Sequence, residues 1–107
     1  MSAVLEVTTA QFQSKAVEAE GLVLVDFSAP WCGPCRRMEP ELEAVATELA
    51  GKITVLKVNV DESPEIATHY GVQGIPNLTF LKGGQVVDVA VGAMPRASIL
   101  ARVNKHL

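Results

Sequence analysis

The chain has 107 residues, 49% of them hydrophobic, and a formal net charge of −3. That length has room for one domain with an ordinary apolar core, so residues 1–107 are expected to fold as a unit without cross-links. The nine lysines and arginines are scattered, only Arg36 and Arg37 being adjacent, and no apolar run approaches a membrane span, so nucleic-acid and membrane partners are not expected.

The N-terminus, MSAVLEVTTAQ, lacks a basic start and carries Glu6 early, which argues against a secretory leader. Lys105-His106-Leu107 matches neither the peroxisomal nor the ER-retention signal well. A cytoplasmic protein is therefore expected. Thr8 and Gln11 have capping-box spacing and predict a helix from Thr9 to Glu18, which Gly21 ends. LVLVDF, Leu22 to Phe27, is apolar without alternation and reads as a strand buried on both faces. RRMEPELEAVATEL is helical, with Met38, Leu42, Val45 and Leu49 on one stripe, Pro40 kinking it and Gly51 closing it. ITVLKVNV, Ile53 to Val60, reads as a second buried strand. In SPEIATHYG, Ser63 can cap a short helix, Pro64 suits its first turn and Gly71 its exit. NLTFLKGGQVVDVAVG is two strands around Gly83-Gly84, a hairpin signal. MPRASILARVNKHL is a closing amphipathic helix with Pro95 in its first turn. The order is roughly βαβαβαββα, an α/β domain with parallel inner strands and a hairpin edge.

Both cysteines, Cys32 and Cys35, lie in SAPWCGPCRRM. As a staple, a four-residue ring contributes only about 1.9 kcal/mol on the chain-entropy model, against about 4.7 for a hundred-residue loop. As half of a zinc site, the pair lacks partners: His69 and His106 are isolated and there is no second C-x-x-C. A redox role fits best. After a buried strand and at the start of a helix, Cys32 meets unpaired N–H groups and the positive end of the dipole, which favour a thiolate. Cys35, one turn on, lies deeper on the same face and can attack a mixed disulfide formed by Cys32. Gly33 lets a partner backbone approach, and Pro34 restricts the ring. Asp26 interrupts an apolar strand. Its bland reading is a strand end facing water, but Phe27 continues the strand, and a carboxyl buried there has a raised pKa.

WCGPC after LVDF, with Asp26, Lys57, GIP some forty residues later and Gly92, resembles the thioredoxin family along essentially the whole chain. The resemblance implies the thioredoxin fold, a central mixed five-stranded sheet flanked by four helices. It also implies a general protein-disulfide reductase that needs no organic cofactor or metal, working on disulfide-bearing proteins and recycled by an NADPH-dependent thioredoxin reductase. A monomer is expected. By the same resemblance Asp26 is the buried acid that moves the proton of Cys35. Lys57, which otherwise simply snorkels to the surface, is then its charge partner. Ile75–Pro76 is cis and faces the cysteines, leaving the Ile75 backbone free to pair with an extended substrate. Trp31 is a lid beside Cys32, and Gly74, Gly92 and Ala93 complete a flat apolar docking rim; ordinary turn chemistry accounts for part of the glycines. Three departures stand out: Ser28 where the family commonly has a second tryptophan, Asn77 after the proline where threonine is common, and Arg36-Arg37 where a lysine is common at the first position. All are placed at or near the rim, where they bear on partner choice. Two rivals remain: a disulfide oxidant or isomerase, disfavoured by the Gly-Pro dipeptide and the missing leader, and a non-catalytic binding subunit, which would tolerate serine at both cysteines.

Overall fold

The computed structural model describes residues 2–107. In chain order the elements are β1 (Leu5–Glu6), α1 (Thr9–Phe12) continued by a π turn (Gln13–Val17), β2 (Leu22–Ser28), α2 (Gly33–Glu48), β3 (Ile53–Asn59), α3 (Pro64–His69), β4 (Asn77–Lys82), β5 (Gln85–Val91) and α4 (Arg96–Asn104). The strands form one sheet in the order β1-β3-β2-β4-β5. β3 pairs in parallel with β1 and β2, whereas β4 runs antiparallel to β2 and β5. This is the mixed five-stranded sheet with four helices expected of a thioredoxin fold.

β2 is buried along its whole length, as its unalternating apolar run predicts. Its parity divides the core. Leu22 and Leu24 pack with Met38, Leu42 and Val45 of α2 and with Ile99 and Val103 of α4. Val23, Val25 and Phe27 pack on the other face with Phe12, Ala16 and Ile66. Because strand side chains alternate, Asp26 shares the α2 face with Leu22 and Leu24. Lys57 is its register partner on β3 and shares that face with Val55.

Several local expectations change. The first helix narrows to one α turn and then widens, with Glu18 N–H donating to the Gln13 carbonyl at 3.0 Å. Gln11 reaches back to accept the Thr8 N–H at 3.0 Å, as the capping spacing predicts. β3 is only partly covered, so it is not the fully buried strand its composition suggests. α2 begins at Gly33, ahead of the stretch from Arg36 that reads as helical, and contains Pro40. Ser63 makes no side-chain capping bond. Pro95 precedes α4 as its N-cap instead of sitting in its first turn. No helix among the described residues is long and apolar enough to cross a membrane.

Candidate functional site

Cys32 is the N-cap of α2, in extended backbone, and Pro34 occupies the first turn, where its missing N–H leaves nothing unsatisfied. Cys32 and Cys35 are joined by a disulfide, with their Cα atoms 5.3 Å apart. The Cys35 N–H donates to Cys32 Sγ at 3.2 Å, and the Arg36 N–H to the Cys32 carbonyl at 3.1 Å. The first turn of α2 thus aims an amide at the outer sulfur. Cys32 keeps 5% of its surface and Cys35 1%. Both pack in a small cluster with Ala29, flanked by Val60 and Ile75.

Across from the pair lies the loop before β4. Cys32 Sγ is 3.8 Å from the Ile75 carbonyl oxygen. The Ile75–Pro76 bond is cis. The Gly92 N–H donates to the Pro76 carbonyl at 2.8 Å and so ties the end of β5 to this loop. A Cβ on Gly74 would lie 3.2 Å from Val91 Cγ1, so glycine there lets the exposed Val91 side chain approach the loop closely. Ala93 is exposed beyond it. Ile75 therefore faces the outer sulfur, and Gly74 and Gly92 adjoin its loop through Val91 and Pro76.

Trp31 is 70% exposed, and its indole N–H donates to Asp61 Oδ2 at 2.7 Å. Asp61 is held by a turn in which Asn59 Oδ1 accepts the Asp61 and Glu62 N–H groups at 2.9 and 3.3 Å. This anchor is not evident in the sequence, because Asp61 lies thirty residues away in a stretch that reads as a loop.

Asp26 retains 1% of its surface, and neither carboxylate oxygen has a hydrogen-bond partner among the described residues. Burial pushes its carboxyl from the ordinary 3.8 up to about 7; the nearby Lys57 charge pulls it down and Glu39 pushes it further up. Lys57 stands next to Asp26 in the sheet, but its ammonium is closest to other carboxylates, Glu39 at 3.5 Å and Glu6 at 3.9 Å. Asp26, Lys57, Glu39, Glu6 and Leu42 line a pocket of about 140 Å³. Glu39 is the residue that sequence reasoning passes over here. Its spacing of four from Cys35 along α2 is the signal, since that interval puts both on one side of the helix.

Of the three departures, Ser28 and Asn77 are buried. Ser28 ends the buried strand β2, and Asn77 Oδ1 accepts the Thr79 hydroxyl at 2.7 Å. Only Arg36 and Arg37 are exposed.

The family model described as thioredoxin matches residues 3–105. The chain is similar to thioredoxin 1 of Nostoc sp., 47% identical over 107 residues and the full length of both proteins. It is similar also to thioredoxins of Synechocystis sp. and Haemophilus influenzae, at 44% and 42% identity over the same full lengths.

Proposed function

The chain belongs to the thioredoxin family, and from that premise we propose how its residues divide the work of reducing a disulfide. It is a disulfide oxidoreductase that acts by dithiol–disulfide exchange. Cys32 is the attacking residue. In the reduced chain its thiolate is favoured by the Cys35 amide and the N-terminus of α2. It attacks one sulfur of the target, forming a mixed disulfide and releasing the other target sulfur as a thiolate. Asp26 takes the proton of Cys35, and the Cys35 thiolate attacks Cys32 Sγ. The target leaves with both sulfurs reduced, and the chain is left with the Cys32–Cys35 disulfide that the structure contains.

Asp26 suits this role because a carboxyl that titrates at about 7 accepts and returns a proton near neutral pH. The polar pocket walled by Glu6, Glu39 and Lys57 gives that proton a route to solvent. The target docks on Trp31 and on Gly74, Ile75, Pro76, Gly92 and Ala93, with the Ile75 backbone pairing with its extended chain. Gly33 admits that chain and Pro34 keeps the ring in shape. By family likeness the electrons come from an NADPH-dependent thioredoxin reductase. We place the chain in the cytoplasm as a one-domain monomer that serves reductive and peroxide-handling enzymes.

The observation that carries the assignment is the unequal seat of the two sulfurs: Cys32 caps the helix and faces Ile75, whereas Cys35 is enclosed. Cys35→Ser is therefore expected to trap targets covalently through Cys32. Capture from lysate under non-reducing conditions, followed by dithiothreitol release, tests it; no releasable adduct with Cys32 intact overturns the division of roles. Insulin-disulfide reduction, driven first by dithiothreitol and then by NADPH with a reductase, tests the activity and the electron source separately.

A further inference from the structure

Four arginines are present, and they fall into two pairs with different surroundings. Arg96 is ion-paired with Glu48, and Arg102 with Asp88 at 2.8 Å. Arg36 and Arg37, beside the cysteines, have no carboxylate within ion-pair distance among the described residues, although acidic residues outnumber basic ones in the chain. Both are exposed and follow directly on Cys35. Arg37 folds back toward the reacting loop: a Cβ on Gly33 would lie 3.5 Å from its Nη1. Gly33, Arg36, Arg37 and Glu39 line an open recess of about 420 Å³. The one carboxylate in that recess, Glu39, is held by Lys57 at 3.5 Å. Two guanidinium groups, each able to take a carboxylate in a bidentate fork, thus line a recess with Gly33, inside the Cys32–Cys35 ring, without an ion pair of their own among the described residues.

We infer that Arg36 and Arg37 form a specificity site for carboxylates on the disulfide-bearing partner, so that the chain prefers targets with acidic residues flanking the attacked disulfide. This rests on the reductase reading above. Because the whole chain is negative, an acidic partner is not favoured by net charge, and the preference has to come from this local pair. Exposed pairs are screened by salt and individually modest, so the preference belongs to low and moderate ionic strength.

The test uses two short peptides, each with one intramolecular disulfide, identical except for Glu or Gln at the two positions flanking the cystine. The pre-reduced chain is mixed with each peptide in a stopped-flow instrument and followed through Trp31. Each rate constant is normalised to that peptide's rate with dithiothreitol, which removes the effect of the flanking residue on sulfur reactivity. The Glu peptide is expected to react about five- to tenfold faster at low salt, the ratio falling towards one at high salt. In the double variant Arg36→Gln/Arg37→Gln the ratio is expected to fall towards one at low salt too, while Arg36→Lys/Arg37→Lys keeps part of it. Using a ratio cancels any effect of the arginines on the thiolate itself. A wild-type ratio near one, or a ratio that survives the glutamine variant, overturns the inference. A chain that reduces neither peptide fails the reductase reading itself.

Discussion

Asp26 carries a carboxyl into an apolar strand with no hydrogen-bond partner among the described residues, and the consequence is a specific pH dependence of stability. Its pKa is raised from 3.8 to about 7 by burial. Below 3.8 the group is protonated in both states and contributes nothing. As pH rises towards 7 the unfolded chain ionises and the folded one does not, so unfolding gains; above 7 the loss is complete, on the order of 4 kcal/mol by linkage. Asp26→Ala is expected to abolish that decline and to leave stability at pH 7 unchanged or higher, while slowing turnover of mixed disulfides. Urea unfolding at pH 4 and pH 8, with stopped-flow exchange, measures both; a less stable variant that exchanges at the wild-type rate makes Asp26 a structural residue. The neighbours act in opposite directions. Lys57→Met should raise the Asp26 pKa and Glu39→Gln should lower it, which a carboxyl-labelled NMR titration reads directly, and a shift in the wrong direction for either refutes the stated electrostatics. At this scale the sequence is informative where a residue contradicts its surroundings. Asp26 in LVLVDF and Lys57 in ITVLKVNV announce themselves, and Cys32 and Cys35 do so by spacing. Asp61 does not, because its meaning comes from a tertiary contact with Trp31. Nor does the burial of Ser28 and Asn77, which depends on what packs over the ends of β2 and β4.

Among the elements, the β4–β5 hairpin shows how local chemistry becomes geometry. Gly83 and Gly84 have φ of +60° and +78°, positive at both turn positions, a backbone that L side chains other than Asn and Asp adopt reluctantly. The two are not equivalent. A Cβ on Gly83 meets nothing within 4 Å, whereas one on Gly84 would lie 3.1 Å from the Val17 carbonyl oxygen, a backbone atom that cannot swing away. Gly83→Asn is expected to cost little. Gly84→Ala combines left-handed strain with that contact and is expected to lose roughly 1–3 kcal/mol. Denaturant midpoints for the two variants decide; equal losses would mean that the turn alone, and not the docking of the hairpin on the first helix, sets the requirement. The hairpin was legible because both signals, the glycine pair and the flanking β-branched runs, are local. The sequence order opens on a strand but gives it no bounds, since the exposed Leu5 and Glu6 have no alternation to read; the pairing of β1 is continued by the Val7 N–H, which donates to the Lys57 carbonyl at 2.9 Å. The π turn after Phe12 was equally silent, because QSKAV has no residue type that separates a five-residue bond from a four-residue one.

In the whole molecule, two apolar clusters occupy opposite faces of the sheet, and the cysteines lie in neither of them but in a third, smaller group with Ala29. The alternation of strands and helices makes the layered α/β architecture readable, but not the strand order, since the antiparallel insertion of β4 beside β2 is decided by packing between distant segments. The separation of cores from cysteines bears on the redox cycle. The disulfide closes a ring of only four residues, so its removal frees little chain entropy in the unfolded state, about 2 kcal/mol. The large buried residues, Phe27, Phe80, Leu24, Leu42, Leu78 and Ile99, keep their contacts whichever state the sulfurs are in. The reduced chain is therefore expected to stay folded and to unfold cooperatively, with a lower urea midpoint but the same slope, since the surface exposed on unfolding hardly changes. Urea titrations of the oxidised chain and of the chain held in dithiothreitol test this, together with Cys32→Ser/Cys35→Ser, which should match the reduced form. If reduction abolished the transition or lowered its slope substantially, the pair would be holding the fold together, and a bond that must open at every turnover could not have that structural role.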